Sequence, residues 1–566
     1  EILIGLVGSE MCIRDRTLYD ENDACTDKNT QRIGLRTLTV SREKDQWGEE
    51  FCFINNGVKI FAMGANYIPE DQIVTRCNEE KTRKLLADCK AANYNFIRVW
   101  GGGYYPDEYF YDYCDENGII VWQDFMFACS AYLLTEEFEE TVRGEVRDNV
   151  IRLRNHPSLG LWCGNNEIES AWEYWGLPED EEAKRDYLII FEDIIPQVLK
   201  AYDPCENTFY WPSSPSSGGG FKDASSNHAG DMHYWDVWHN FKPIEAFREF
   251  YYRFCSEYGF ESLPDIKTCR AFADETKGDF DLCSPVMAAH QKCVQGNEKI
   301  MYYLAQMVRY PYDFKQLIYS SQLVQADCIR SNVEHMRRAR GRCMGSAYWQ
   351  VNDSNPVISW SSIDYFGRWK GLHYYAKRFY GPCLISCDDT NRKKPVLNIS
   401  NERMTAFEGV VKWTLRNNKA EILQSGEKSV NVPALTAQNV LDIDLSQELV
   451  SRTDPREKYL EYSIMENGKV LSFGTTLFVR PKEFTFLEPA ITYGISESED
   501  KFALTFCAEN YAKSVCLSLK TADCVFSDNW FDIHGKEPVT IMIDKASLSR
   551  KMTAQELSRE LEIMHN

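Results

Sequence analysis

Between residues 59 and 349 the sequence alternates short apolar runs with longer amphipathic segments, and this alternation limits the fold more than any other feature. Helical segments fill most of the intervals, for example 78–92, 107–117 and 134–155. Eight apolar runs have the length and the β-branched or aromatic content of buried strands: KIFAMG (59–64), NFIRVW (95–100), IIVWQD (119–124), LGLWCG (159–164), NTFYW (207–211), DMHYW (231–235), YRFCSE (252–257) and MGSAYW (344–349). Buried strands joined by helical crossovers predict an α/β fold, a (β/α)8 TIM barrel.

The sequence on either side of this region predicts β-structure. QRIGLRTLTV (31–40) has the alternation of a strand, and residues 51–64 predict a hairpin that turns at Asn55-Asn56-Gly57, because Asn-Gly accepts the positive φ of a tight turn. After about residue 385, short strands and turn signals replace the helices, which predicts β-sandwich modules. SSPSSGGG (213–220) predicts a loop that either lines a pocket or is solvated.

These patterns divide the chain into five predicted segments. Residues 1–16 lack both strand alternation and a basic leader region, so we expect a non-native tail and a natural N-terminus further upstream. The other segments are a remnant of an immunoglobulin-like β-sandwich at 17–49, the barrel at 50–384, and two immunoglobulin-like β-sandwich modules, at 385–482 and at the C-terminus, 483–566.

Composition and charge exclude several classes of partner. The formal net charge of −22 repels phosphate backbones, which predicts that the chain does not bind nucleic acid. The sequence has no 18-residue apolar run and no Lys/Arg cluster, so no membrane association is expected. The 20 cysteines follow neither a small-scaffold nor a zinc spacing, which predicts buried free thiols, a cytoplasmic location and no metal site. The oligomeric state is left open.

Two glutamates follow apolar strands. Glu167 comes after the fourth predicted strand and Glu257 ends the seventh. Because the functional side chains of such a barrel lie at the carboxyl ends of its strands, we expect these carboxyl groups to face each other. A pair of this kind hydrolyses glycosides: one acid protonates the leaving oxygen, and the other carboxylate attacks the sugar or activates water. A single glutamate at a strand end is more often a solvated carboxylate, so the pair carries the prediction.

Neighbouring strand ends supply groups that suit this chemistry. Arg98 is expected to keep Glu257 ionised, since a nearby cation favours the charged form. Asn166 is expected either to bond a sugar 2-hydroxyl or to cap the following helix. Asp124 and Glu169 are weaker candidates. Three tryptophans at strand ends predict aromatic walls for a sugar ring, although each one alone fits a core position: Trp100, Trp235 and Trp349.

Five stretches together resemble the β-mannosidases of glycoside hydrolase family 2: 98–105, 155–167, 231–239, 253–262 and 359–380. The similarity extends from about residue 31 to the end. It implies a retaining exo-enzyme that needs no cofactor and releases β-D-mannose from the non-reducing ends of an oligosaccharide or glycoconjugate. It also implies Glu167 as acid/base and Glu257 as nucleophile. The resemblance places sugar-binding residues at Asn66, Arg98, Trp100, Asn166, His233, Tyr234, Trp235 and Trp349.

The resemblance leaves alternatives open. Members of the family normally begin with a sugar-binding-like β-sandwich and an immunoglobulin-like module, and here only the last strands of the second are expected, at 17–49. One alternative is therefore a truncated mannoside-binding fragment with weak or no turnover. Another is a family 2 enzyme that acts on β-galactosides, β-glucuronides or β-glucosaminides.

Overall fold

The computed structural model describes residues 11–176, 180–205 and 208–566, in two compact units. The first, called the barrel unit, covers 1–235, 249–258 and 339–351. The second, called the sandwich unit, covers 236–248, 259–338 and 352–566. Residues 1–10 of the predicted tail and the first residue of the predicted strand 207–211 lie outside the described residues.

Parallel strands form the centre of the barrel unit. Within the described residues, eight of them pair in the order five-four-three-two-one-eight-seven-six, which is the cyclic order of a (β/α)8 barrel. In chain order they are Ala62–Tyr67, Phe96–Val99, Ile120–Asp124, Leu159–Cys163, Tyr210–Trp211, Met232–His233, Cys255–Glu257 and Gly345–Tyr348. The predicted fold class is confirmed, and each strand overlaps its predicted run.

The predicted hairpin before the barrel is confirmed, and because of it the first barrel strand begins later in the sequence than predicted. Cys52–Asn55 pairs with Val58–Ile60 around a turn with φ of 49° at Asn56 and 81° at Gly57. Residues 59–60 therefore belong to the hairpin, and the first barrel strand begins at Ala62 rather than at residue 59.

The single strand predicted over 31–40 is wrong. The chain forms two strands in different sheets, Cys25–Gly34 and Leu38–Ser41. Between them Arg36 donates to the carbonyl oxygens of Pro157 and Leu159, at 2.9 and 3.0 Å. This long-range contact breaks the strand, and alternation alone gives no sign of it.

An apolar cluster fills the barrel unit at the amino ends of its strands. Phe51 lies 5.8 Å from Trp122 and 5.6 Å from Phe254, ring centre to ring centre. Leu38 and Val40 of the preceding small sheet belong to the same cluster. The predicted boundary at residues 49 and 50 stays a prediction. Because this end is filled by side chains, the carboxyl ends of the strands are left for a site.

The two longest described helices of the barrel unit, Glu79–Ala91 and Glu136–Leu153, begin at residues whose side chains cap them. Asn78 accepts a hydrogen bond from the backbone N–H of Lys81, at 3.0 Å, and Thr135 accepts one from Phe138, at 3.1 Å. The three predicted helices are confirmed within two residues, and 213–220 is a loop. The helical segments are Val74–Arg76, Glu79–Ala91, Glu108–Asn117, Glu136–Leu153, Ile168–Tyr174, Glu181–Leu188, Ile189–Ile194 and Ile195–Tyr202. The remaining strands of this unit are Met11–Tyr19, Lys44–Asp45 and Gly48–Glu49. Because Met11–Tyr19 pairs with Cys25–Gly34, the expectation that the tail lacks strand structure is wrong for residues 11–16.

The sandwich unit begins with helices. Its longest described helix, Phe314–Arg338, packs against Gly371–Phe379. No helix among the described residues is long and apolar enough to cross a membrane. The other helical segments before the sandwiches are Asp236–His239, Ile244–Glu249, Ile266–Cys269, Glu275–Lys277, Pro285–Ala289 and Gly296–Met307.

Antiparallel sheets make up the rest of the sandwich unit, as predicted. The first module pairs Cys383–Asp388, Val396–Asn401 and Thr436–Asp442 in one sheet, and Phe407–Asn417, Ile422–Val432, Lys458–Glu466 and Lys469–Leu477 in another. The second pairs Thr492–Glu497, Lys501–Cys507 and Val539–Asp544, and separately Tyr511–Leu519, Phe531–His534 and Leu561–Met564. Short helical segments are Asp454–Glu457, Pro481–Glu483, Lys545–Ser547 and Ala554–Glu560.

The core cluster generates a stability prediction for Leu161, which lies in the fourth barrel strand and is 1% exposed. Leu161→Ala is expected to lower the free energy of unfolding of the barrel by about 2–5 kcal/mol, because a cavity replaces buried methyl groups. The same substitution at Leu133, which is 63% exposed, is expected to change it by less than about 0.5 kcal/mol. Urea unfolding followed by tryptophan fluorescence measures both, and equal losses would contradict the packing described.

Candidate active site

A buried guanidinium lies at the centre of the carboxyl ends of the barrel strands. Arg98, from the second strand, is fully buried. It contacts Asp124 at 2.8 Å and Glu257 at 2.5 Å, nitrogen to oxygen. It also donates to the side-chain oxygens of Asn66 at 2.8 Å and Asn166 at 2.7 Å. The structure therefore brings together Arg98 and three of the residues predicted beside it.

These contacts refine what Asn66 and Asn166 are expected to do. Asn66 is fully buried, and its amide N–H also donates to the backbone oxygen of Ser256, at 2.9 Å. We expect it to orient Arg98 rather than to contact a sugar. The helix after the fourth strand has Glu167 as its N-cap residue, and the side chain of Asn165 accepts from the Ile168 N–H at 3.1 Å. The side-chain oxygen of Asn166 accepts from Arg98 instead, so Asn166 does not cap this helix.

Glu257 is the carboxylate in contact with this cation. It is 3% exposed, at the end of the seventh barrel strand. Burial raises the pKa of Glu257, and the Arg98 cation in contact with it opposes that rise, because positive charge beside the carboxyl favours its ionised form. The expected effect of Arg98 on Glu257 is therefore present, although it acts against burial.

Glu167 occupies a different environment. Its backbone has φ of 61°, in the left-handed region, and its N–H donates to the Ser214 carbonyl at 2.8 Å. Its side chain contacts His233 Nδ1 at 2.7 Å and the Cys129 thiol at 3.7 Å. Burial raises the pKa of Glu167 to about 7, with Arg98 and hydrogen bonds opposing the rise. Glu167 is therefore the carboxyl that holds a proton near neutral pH.

The two carboxyl groups are close to each other. One oxygen of Glu167, one of Glu257 and a ring nitrogen of His233 lie within 4.8 Å of one another. Carboxyl groups about 5–5.5 Å apart suit direct attack on a sugar, whereas about 6.5–9.5 Å leaves room for a water. The separation thus favours the direct-attack alternative that the sequence left open.

His233 joins the two acids. Its ring nitrogen Nδ1 faces Glu167 at 2.7 Å and Glu257 at 3.4 Å, and its Nε2 lies 3.0 Å from the Ser214 hydroxyl. Burial lowers the pKa of His233 to about 4, since a charged imidazolium is poorly solvated there. The ring is therefore neutral near pH 7, and it carries one proton.

Aromatic side chains border the site. Trp100 and Trp349 pack edge to face with ring centres 5.0 Å apart, and both are half-exposed. Trp235 is half-exposed as well. Tyr234 is buried and packs on Phe250 at 4.9 Å. The tryptophans are available to a ligand, whereas Tyr234 belongs to the protein interior.

Several residues of this network were missed or underrated from the sequence. Asp124 had been a weaker candidate and proves to be a fully buried partner of Arg98. Cys129, Ser214 and Asp231 were not proposed at all. Their positions in loops or at a strand start resemble ordinary turn residues, and Asp231, two residues before His233, is the one signal that the sequence offered.

Two groups of described residues have metal-ligating atoms close together. They are Glu167, His233 and Glu257, and Asp112, Asp115 and His156. In the second group His156 is hydrogen bonded to Asp115 at 2.7 Å, as His233 is to Glu167 in the first. Hydrogen bonds within each group explain why its side chains lie close together. The expected absence of a metal and a cofactor stays a prediction.

Two protein-family descriptions match the C-terminal part of the chain. Residues 394–483 match "Mannosidase Ig/CBM-like domain", and residues 486–566 match "Ig-fold domain". These ranges fall on the two described sandwich modules.

Curated relatives and solved structures match most of the chain. β-Mannosidase B of Aspergillus niger is 36% identical over 95% of this chain and 67% of its own length. The Aspergillus terreus enzyme of the same name is 31% identical over 94% of this chain and 66% of its own length. The β-D-mannosidase structure of Dictyoglomus thermophilum has a TM-score of 0.87 and 30% identity, covering 96% of this chain and 65% of that one. The chain thus spans about two thirds of the length of these relatives.

The buried carboxyl of Glu167 generates a stability prediction that needs no substrate. Between pH 4.5 and about 7 the folded protein holds a proton there that the unfolded chain releases, so stability falls as pH rises through this window. Glu167→Gln removes that loss. Its stability relative to wild type is expected to rise by about 3 kcal/mol across the window, measured by urea unfolding at several pH values. A difference that stays constant with pH would contradict the assignment.

Proposed function

The chain belongs to the β-mannosidases of glycoside hydrolase family 2, and from this premise we propose that it is a retaining exo-β-mannosidase with Glu167 as acid/base and Glu257 as nucleophile. The observation that carries the proposal is the carboxyl pair, whose oxygens lie within 4.8 Å of each other. One member is held beside Arg98 and the other keeps a proton because it is buried. These are the two protonation states that double displacement needs.

In the first step Glu257 attacks the anomeric carbon while Glu167 gives its proton to the glycosidic oxygen. The bond to the leaving alcohol breaks and an ester between the sugar and Glu257 forms. Arg98 stays in contact with Glu257 at 2.5 Å, and the negative charge moves from that carboxylate to Glu167. The buried site therefore contains the same net charge before and after the step.

In the second step Glu167, now ionised, removes a proton from water. The resulting oxygen attacks the anomeric carbon, the ester bond breaks, and Glu257 returns as a carboxylate. Two inversions give the product the configuration of the substrate. The half-exposed Trp100, Trp235 and Trp349 are the proposed walls of the sugar pocket, and Asn166 is the proposed partner of a sugar hydroxyl.

The proposed substrate is the non-reducing end of a β-mannoside oligosaccharide or glycoconjugate. The printed names of the Aspergillus and Dictyoglomus relatives support mannose as the sugar. The chain covers about two thirds of those proteins, so a mannoside-binding fragment with weak turnover is the second candidate. The free, mostly buried cysteines among the described residues support the proposed cytoplasmic location, which fractionation of expressing cells tests.

Turnover and covalent trapping test the function together. The 566-residue chain is expected to hydrolyse p-nitrophenyl β-mannoside faster than the matching β-glucoside, β-galactoside, β-glucuronide and β-glucosaminide. A 2-fluoro-mannoside with a good leaving group is expected to add one sugar mass at Glu257, because the fluorine slows the second step more than trapping.

Glu257→Ala is expected to abolish both turnover and trapping, whereas the same substitution at the exposed Glu137 leaves them intact. Labelling at another residue would refute the nucleophile. Binding of mannobiose by calorimetry without turnover would favour the fragment alternative, and preference for another sugar would overturn the specificity.

The pH dependence of kcat/KM tests the acid/base. Activity is expected to fall above pH about 7 as Glu167 loses its proton, and to fall at low pH as Glu257 gains one, which gives a bell-shaped profile. Glu167→Ala is expected to remove the high-pH limb on a 2,4-dinitrophenyl mannoside, whose leaving group needs no acid. A limb that persists in this variant would assign it to another group.

A further inference from the structure

A line of buried side chains connects Asp231 to Glu167. Asp231 Oδ2 accepts from the Ser214 hydroxyl at 2.6 Å, and the same hydroxyl oxygen lies 3.0 Å from His233 Nε2. His233 Nδ1 then contacts Glu167 at 2.7 Å. Asp231, Ser214 and the His233 side chain are all nearly or fully buried, so protein groups rather than bulk water decide where the protons lie.

The number of protons on each group determines which one donates and which one accepts along this line of side chains. The Ser214 hydroxyl has one proton, and the buried Asp231 carboxylate is its strongest acceptor. Ser214 oxygen is then left to accept from His233 Nε2–H. Since neutral His233 has one ring proton, its Nδ1 is an acceptor. The group opposite Nδ1 is Glu167, which must carry the proton of that 2.7 Å contact.

We propose that Asp231 and Ser214 are positioning residues for the reaction: they hold His233 as its Nε2–H tautomer, so that Nδ1 accepts the acid proton of Glu167. The Asp231–Ser214–His233 relay, as we call it, keeps the general acid protonated and fixes the direction of its O–H bond. This inference rests on the proposed function, because the acid role belongs to Glu167 only in a glycosidase.

Other charged groups face the same ring. The carboxylate of Glu257 lies 3.4 Å from Nδ1 and favours a proton there. Arg98 contacts Glu257 at 2.5 Å and opposes part of that effect. Asp231, by contrast, forms no ion pair among the described residues, and by accepting from the Ser214 hydroxyl it favours a proton on Nε2. The thiol of Cys129 faces the other oxygen of Glu167 and donates without changing the tautomer.

Asp231 also has a structural contact that must be separated from the relay. Its Oδ1 accepts from the indole N–H of Trp211 at 2.8 Å, and this bond joins the fifth and sixth barrel strands. The Ser256 hydroxyl donates to Asp231 Oδ2, the oxygen that Ser214 uses, but no hydrogen bond links it to His233 in the described structure. The Ser214 and Ser256 hydroxyls also lie 3.4 Å apart, so Ser256 is the control for loss of a hydroxyl that contacts Asp231 and Ser214 but not His233.

The variants follow from this geometry. Ser214→Ala removes the group that orients His233, so Nδ1–H becomes free to donate to ionised Glu167. Asp231→Asn keeps the shape, but its amide N–H turns toward Ser214 because Trp211 N–H already occupies the other side. Ser214 must then donate to Nε2, which reverses the relay. Both variants are expected to lower the pH at which Glu167 ionises by about one unit or more. Ser256→Ala is expected to leave that pH unchanged.

The shift is measured first on the high-pH limb of kcat/KM. Ser214→Thr, which retains the hydroxyl, is expected to restore the wild-type limb. If Ser214→Ala and Ser256→Ala lower activity equally with no movement of the limb, Asp231 and Ser214 are structural only and the relay is overturned. The same conclusion follows if Asp231→Asn leaves the limb in place.

A second measurement does not depend on turnover. The pH at which Glu167→Gln gains stability over its parent is compared in the wild-type, Ser214→Ala and Ser256→Ala backgrounds, by urea unfolding. A lower midpoint in the Ser214→Ala background alone supports the relay even if no mannoside is hydrolysed, in which case the proposed function fails and the relay stands. Equal midpoints in an active enzyme overturn the relay and leave the function intact.

Discussion

The ion pairs of Arg98 are the interaction on which the rest of the barrel unit depends. A guanidinium with no exposed surface is costly unless carboxylates and hydrogen-bond acceptors surround it. Asp124 comes from the third barrel strand and Glu257 from the seventh, and both contact it directly. The carboxyl ends of strands on both sides of Arg98 are therefore fixed relative to one another, because displacement of any of them would leave a buried charge unpaired.

The same group sets the protonation of the site. Arg98 supplies one positive charge beside Asp124 and Glu257, so these three groups already have an excess negative charge. An ionised Glu167 would add another where little water can solvate it, and burial accordingly raises the pKa of Glu167 to about 7. The site thus favours one stored proton, and the carboxyl without a cation in contact is the one that holds it. Different environments for two identical side chains are enough to give them different roles.

The fold and the carboxyl pair could be predicted from the sequence because both follow local patterns. The apolar runs gave the barrel strands, and the strand ends gave Glu167 and Glu257. The predictions fail where a contact with a residue distant in the sequence determines the local structure. Arg36 ends a strand by bonding carbonyls more than a hundred residues away. The alternatives left open for Asn166 are likewise decided by a distant residue, because its side-chain oxygen accepts from Arg98.

The Asp231–Ser214–His233 relay could not be predicted from the sequence for a further reason. Its residues lie near each other in sequence, but their order of donation depends on which acceptors remain once the barrel is assembled. Ser214 and Ser256 both donate to one oxygen of Asp231, and only the folded structure shows that Ser214 alone continues to His233. A pattern of residue types can indicate a polar cluster, but it does not give the direction of its hydrogen bonds.

The position of the relay has a physical reason in the barrel itself. The fifth and sixth strands, Tyr210–Trp211 and Met232–His233, are the shortest of the described parallel sheet and stand at the two ends of its pairing order. Backbone ladder bonds are few there, so side chains satisfy some of the backbone groups: Asp231 accepts from the Ser216 N–H at 3.0 Å. Asp231 also accepts from the indole N–H of Trp211 in the fifth strand. A buried carboxylate placed for that purpose also polarises whatever hydroxyl it accepts from. The contact that closes the barrel thus brings Asp231 close to His233, and the other nitrogen of the His233 ring contacts the acid proton of Glu167.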